Sequence, residues 1–352
     1  MATQTADLPV DSPTEAQPPA PAQASAVAPA PRQISASSLR SILSAIAMPI
    51  AAAIALLVHY FVPNTEPSST TNYYAQLLAI LLGVTGFLAA AQFISKPLRR
   101  WLLPKSPLLC AAILVLCAWQ LITLKLALLP LPYFPGPELV LQSIANDWRL
   151  LLDCTWHSLF LLLLGYFAGV LAGLVSGICI GWSPRIRYWG MPILKTIGPI
   201  PAVAWIPLAL VIFDSTWVKA GAIIALAVWF PVTMLTASGI SNVRVAYLDV
   251  ARTMGAGRSY LIFRVAIPAA MPSIFIGLFM GLGTSFLTLI VAEGMGVKSG
   301  LGWYIDWART YSEYSRVFAA LLIMSAFFST IMTLLFFIRD HVLVWQKGVI
   351  KW

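Results

Sequence analysis

The sequence predicts an all-α polytopic membrane protein with about eight transmembrane helices. Hydrophobic residues make up 59 % of the 352 and charged residues only 10 %, too few to clothe a chain of this size in a polar surface. Several apolar runs reach about 20 residues, enough at 1.5 Å per residue to cross about 30 Å of hydrocarbon. The strict alternation that marks membrane strands is absent. The net charge of +9 does not call for a nucleic-acid partner: with the runs placed as spans, 15 of the 22 Lys and Arg fall on one side. That is the positive-inside pattern, and it predicts a lipid-embedded chain with both termini cytoplasmic.

Residues 1–38 hold seven prolines before Arg32 among Ala, Ser and Gln, a composition that cannot bury enough apolar surface to fold. They read as a cytoplasmic tail. They lack the basic start and apolar core of a cleaved signal, so the first span is expected to be retained. Residues 39–105 then supply two spans, 42–62 and 73–95, closed by the basic loop from Lys96 to Lys105 with Arg99 and Arg100 between. Residues 106–352 form the remaining core. A third span, 108–129, leads to Pro132, Pro135 and Pro137, and Glu138–Asp153 reads as an amphipathic helix along the outer surface.

The fourth span, 155–181, carries Gly165, Gly169, Gly173, Gly177 and Gly181, each four residues apart. At 3.6 residues per turn this stripe drifts by about 40° per step, and a partner helix crossing obliquely can follow it in small-xxx-small contact. Its reading is helix packing. The fifth span, 189–213, is interrupted by Pro192, Pro199, Pro201 and Pro207. Freed backbone groups survive in a membrane only where protein or water satisfies them, so Pro201 and Trp205 are candidate pathway residues. Span six, 217–240, follows. Span seven, 269–290, sets Gly277, Gly281, Thr284 and Thr288 on one stripe, which suits packing and a weakly polar pathway wall equally. An outer loop, Glu293–Arg316, precedes span eight, 317–338. Glu293, Lys298 and Arg309 are expected on a charged outer rim, with Glu293 a candidate pathway residue. Lys125 and Lys195, inside apolar runs, are expected to snorkel to the headgroups.

Between spans six and seven lies a charged interruption, about 243–267, carrying Arg244, Asp249, Arg252, Arg258 and Arg264. Val243, Tyr247, Val250 and Met254 share one helical face at 4, 3, 4 spacing. Gly255-Ala256-Gly257 stops that helix. A second short helical run follows before Pro268 and Pro272.

Asp249-Val250-Ala251, then Gly255, then Ile267-Pro268 resembles the Glu-Ala-Ala loop of permease subunits of bacterial ABC importers, with Asp for Glu and Val for Ala. Val291-Ala292-Glu293, Ser299-Gly300-Leu301-Gly302 and Ala308-Arg309 resemble the branch serving nitrate, sulfonates and taurine, as do the prolines ahead of the outer amphipathic run. The resemblance covers about residues 130–345. It implies a six-helix permease core plus two extra N-terminal helices in a bacterial inner membrane. Asp249, Ala251, Met254, Gly255, Ala256, Gly257 and Arg258 would then couple to a cytoplasmic ATPase. It further implies a second copy of the chain, two ATPase subunits that bind ATP and magnesium, a solute-binding protein outside, and a small anion such as nitrate, taurine or bicarbonate as cargo.

No G-x-x-x-x-G-K-[ST] phosphate loop occurs in the chain, so no cofactor is expected in it. The competing class is an ion-coupled secondary carrier, which needs acids buried mid-span at about 2.5–3.5 kcal/mol each on insertion scales. The Asp and Glu here fall in the tail, loops or span ends. An intramembrane enzyme would need a His pair, an Asp pair or a Ser with a base inside spans, and no convincing spacing exists. His59, His157 and His341 make no metal pattern, and the four cysteines read as free thiols.

Overall fold

In the computed structural model, residues 36–65, 72–129 and 131–346 are described. The expected tail lies outside these residues except for its last three positions. The chain divides into two units at Leu43, and the described part of the first, residues 36–43, is helical. From Ser44 onward the N-terminal helices belong to the same compact unit as the rest.

In chain order the helices are α1 (Ala36–Phe61), α2 (Tyr73–Ile94), α3 (Lys96–Leu102), α4 (Ser106–Gln120), α5 (Pro137–Asn146), α6 (Trp148–Trp182) and α7 (Pro184–Ile197). They continue as α8 (Ile206–Ile212), α9 (Thr216–Ser241), α10 (Val245–Thr253), α11 (Arg258–Tyr260), α12 (Ile267–Glu293), α13 (Leu301–Thr310) and α14 (Tyr314–Val342). Wide turns at Leu121–Lys125 and Leu261–Ala266 prolong α4 and join α11 to α12. Among the described residues six helices are long and apolar enough to cross a membrane, seven if α7 and α8 count as one bent span, and the shorter apolar stretch Ile46–Phe61 precedes them.

The glycine stripe fixes the direction of the core helices. A Cβ added at Gly165 would meet Ile224, at Gly169 Val228, at Gly173 Val232, at Gly177 Thr236 and at Gly181 Ile240, all within 2.8 Å. The partner's numbers climb with those of α6, so α6 and α9 run parallel. Two parallel spans need a return crossing between them. The prolyl segment from Pro184 to Ile212, bent by 90° between its two helices, supplies that crossing and is not a hairpin that turns back.

The remaining directions follow the same way. Gly239 meets Ser273, Gly277 meets Leu235, and Gly281 meets Val228, so α12 is antiparallel to α9. Ring contacts at 4.3 Å between centroids pair Phe279 with Phe336 and Phe286 with Phe328, making α14 antiparallel to α12. At the other end of the chain, Cys110 contacts the Ala47 carbonyl and Gln120 contacts His59, so α4 runs parallel to α1 with α2 returning between them. The basic segments after α2, α6 and α9 thus share one side.

Three expectations need correction. The outer amphipathic helix ends at Asn146, and from Trp148 on its second half is the first turns of α6, which reaches 35 residues. Asp147 marks the break, and its carboxylate is held by two other helices, through Arg316 of α14 at 3.0 Å and the Tyr304 hydroxyl of α13 at 2.7 Å. Lys125 does not snorkel. It is 5 % exposed and donates to the His59 and Val62 carbonyls, neutralising orphan acceptors at the C-terminal end of α1. Span seven is longer than expected: helix runs unbroken from Arg258 to Glu293, because the wide turn before Ile267 absorbs the missing N–H of Pro268.

Gly169 is the closest approach in the stripe, 2.5 Å from an added Cβ to the Ala225 carbonyl oxygen. Gly169→Ala is expected to destabilise the bundle by about 1–3 kcal/mol through overpacking. Gly83→Ala, where nothing lies within 4 Å, should be neutral or slightly stabilising. Melting of the detergent-purified protein followed by size exclusion reads both, and equal melting temperatures would refute the packing role of the stripe.

Candidate functional site

Two places gather the chemistry. The first is the charged segment on the basic side. Helix α10 ends in a double backbone closure: the Ala256 N–H donates to the Ala251 carbonyl at 3.0 Å and the Gly255 N–H to the Arg252 carbonyl at 2.9 Å. This six-to-one and five-to-two pair requires a left-handed residue after the cap, and Gly255 supplies it at φ +84°. Beyond the turn, Gly257 adopts an extended conformation and Arg258 restarts the helix.

The closed turn leaves an apolar face uncovered. Met254 is 83 % exposed, and Val245, Tyr247 and Val250 are each more than half exposed. A groove of about 550 Å³ runs along Tyr247, Val250, Ala251, Met254, Gly257 and Tyr260. Asp249 does not project into it; its carboxylate pairs with Arg252 at 3.0 Å on the exposed surface of the helix. Such a pair contributes little to stability.

The second place is at the opposite end, and sequence reasoning placed its central residue wrongly. Glu293 is fully buried, not on an exposed rim. Its Oε1 accepts from the Ser158 hydroxyl and its Oε2 from the Gly302 N–H, both at 2.6 Å. The Ser158 oxygen in turn accepts from the Leu301 N–H at 2.8 Å. The last residue of α12 and a serine of α6 therefore satisfy the orphan N–H groups that open α13. Gly300 and Gly302 are required by close approach: an added Cβ would lie 2.5 Å from the Glu293 carboxyl carbon at Gly300 and 2.6 Å from the Ile290 carbonyl at Gly302. Further out, Ser299 donates to Asp153 at 2.7 Å, and the buried Tyr304 hydroxyl donates to Asp147. Burial, followed by that hydrogen bond, pushes the Tyr304 phenol well above its usual range, so it remains a donor. Ser158, Asp147 and Tyr304 went unrecognised in the sequence. The one available signal was the small-Leu-small run after Ser299, which marks a backbone pressed against something.

The other candidates do not join either place. Pro201 lies at the exposed bend between α7 and α8, and Trp205 ends the single tight turn Ala202–Trp205. Thr288 is buried and donates to the Thr284 carbonyl of its own helix, while Thr284 donates to Ala227 of α9 at 3.0 Å. Gly277 and Gly281 also lie against α9, while Thr284 keeps an exposed side chain.

Comparison with known sequences adds a family. The profile described as "Binding-protein-dependent transport system inner membrane component" matches residues 165–343. The chain is 31 % identical over 221 residues to the taurine transport system permease protein TauC of Escherichia coli, covering 61 % of this chain and 80 % of that protein. It is 36 % identical over 168 residues to the putative aliphatic sulfonates transport permease protein SsuC of Bacillus subtilis, covering 48 % and 61 %. It is 29 % identical over 196 residues to the nitrate import permease protein NrtB of Leptolyngbya laminosa, covering 52 % and 70 %.

Ser158→Ala would leave Glu293 Oε1 and the Leu301 N–H without partners in a buried site, at about 1–3 kcal/mol for each orphaned group. The expected outcome is a lower melting temperature and faster proteolysis within 294–313, with Ser158→Thr close to the parent protein. Unchanged proteolysis of Ser158→Ala would show that the hydroxyl does not hold α13.

Proposed function

The chain belongs to the family of binding-protein-dependent transport system inner membrane components and is a permease without an ATPase of its own, and from that premise we propose that it imports a small oxyanion, driven by separate ATPase subunits docked on α10. Support for the anion class comes from the relatives, whose names specify taurine, aliphatic sulfonates and nitrate. The observation that carries the docking reading is the exposed apolar face of α10, closed by the Gly255 turn on the side where the basic residues lie. An apolar patch rimmed by Arg244, Arg252 and Arg258 beyond the bilayer fits a protein partner better than lipid.

In this reading the basic side is cytoplasmic and both termini lie there. Two copies of the chain enclose one pathway, with two ATPase subunits inside and a solute-binding protein outside. ATP-driven closure of the ATPase pair draws the two α10 turns together. Because α12 begins just past that turn and α6 and α9 end beside it, the motion passes directly into the packed spans. Asp249, Ala251, Met254, Gly255, Ala256, Gly257 and Arg258 form the docking segment, and Gly255 keeps its turn compact within the ATPase groove.

The test is uptake of taurine and nitrate in proteoliposomes holding the complete assembly. Uptake is expected to require ATP and the ATPase subunits and to persist when proton and sodium gradients are collapsed. Uptake by this chain alone on an ion gradient would overturn the reading in favour of a secondary carrier. A Cβ added at Gly255 meets no atom within 4 Å, so Gly255→Leu should insert and pack normally. A leucine held at positive φ is nonetheless strained by about 1–2 kcal/mol, and it would wedge the docking surfaces apart. Binding-protein-stimulated ATP hydrolysis should fall about tenfold or more, the factor that about 1.4 kcal/mol represents. Full stimulation in Gly255→Leu would make the segment an ordinary connector.

A further inference from the structure

The outer end of α6 is tied to the 293–316 segment at three levels. Deepest is Ser158 with Glu293 and Leu301, all fully buried. About 7.5 Å further out, at 1.5 Å per residue along the helix, Asp153 accepts from Ser299, whose hydroxyl also lies 3.8 Å from the Cys154 sulfur. Beyond these, Asp147 holds Tyr304 and Arg316.

Glu293 also ends the unbroken helix that starts at Arg258, directly after the Gly255 turn. On the basic side, the ends of α6 and α9 line a groove with α10 through Trp182, Ile240, Val245 and Leu248. One continuous helix therefore joins the α10 turn to the α13 clamp, and α6 flanks it at both ends.

We propose that Glu293 and Ser158 are positioning residues that keep α13 clamped to α6 and α12 through the whole transport cycle, so that these elements travel as one body. The proposal rests on the importer reading above. Lifting α13 would strip a buried carboxylate of both its donors in an apolar surrounding, the costliest break available at this end of the molecule. The Ser299–Asp153 tie is exposed and the Asp147–Arg316 pair partly so, whereas the inner tie is fully buried. Opening to the outside therefore occurs between bodies, and α13 is a fixed part of one of them rather than a lid.

The native Cys154 makes this testable. Ser299→Cys, in a background in which Cys110, Cys117 and Cys179 are replaced by Ala, places two thiols within reach of a disulfide. Copper phenanthroline is the oxidant and dithiothreitol the reductant. The crosslink is expected to form equally fast in the nucleotide-free assembly and in the assembly trapped with ATP and vanadate, and the oxidised assembly should hydrolyse ATP as fast as the reduced one. Loss of the crosslink in the trapped state, or hydrolysis blocked by oxidation and restored by dithiothreitol, would overturn the proposal. Failure to crosslink in the nucleotide-free state would contradict the juxtaposition it rests on. Adding Ser158→Ala should slow the crosslink in the trapped state while basal hydrolysis persists, and Ser158→Thr should restore it; an unaffected crosslink would remove Ser158 from the clamp. A parent assembly that hydrolyses no ATP would instead strike the importer reading, with nucleotide-free crosslinking still reporting on the clamp.

Discussion

With glycine at every fourth position from 165 to 181, α6 offers no side chains to hold its neighbour away, and α9 lies against its backbone along the whole run. In hydrocarbon there is little hydrophobic drive between helices, so this contact must come from dispersion at short range, which small residues permit. Its direction then dictates the path of the chain. Because α6 and α9 are parallel, the segment between them must cross the bilayer, and it does so through five prolines and a right-angled bend. The crossing is thus a consequence of the direction of the glycine contact. Protein covers the break, with Phe230 of α9 filling the space beside Gly198.

The two ends of the bundle are built on different principles. On the basic side, α10 closes on itself through a glycine turn and leaves its apolar face open. On the opposite side, α13 is saturated by its own chain, with Glu293 and Ser158 satisfying its first N–H groups. An end with open apolar area can gain by docking, whereas an end whose polar groups are already paired loses by coming apart. The permease therefore presents one adaptable surface and one fixed one, joined by a continuous helix from Arg258 to Glu293.

The N-terminal helices follow the same economy. Lys125 is the cation an apolar run can least easily hold, and it is accommodated by capping the end of α1 rather than by reaching water. Thr65 returns the favour by donating to the Lys125 carbonyl at 2.6 Å. A residue costly on its own thereby fastens α1 to α4.

The sequence alone determined what is local and periodic. Apolar runs near 20 residues gave the spans, since span length follows from bilayer thickness. Glycines at four-residue spacing marked a packing face, and Gly255 after an amphipathic run marked a helix end, because the left-handed conformation is cheap only for glycine. Direction and depth were left to the tertiary structure. Nothing in the stripe says whether its partner runs parallel, so only the pairing of Gly165 with Ile224 and Gly181 with Ile240 revealed the crossing between them. Glu293 and Lys125 were misplaced for one reason: a charge at a span end reads as solvated unless its partners are known. Those partners, Ser158 in one case and the His59 and Val62 carbonyls in the other, lie 135 and more than 60 positions away, where no local pattern reaches.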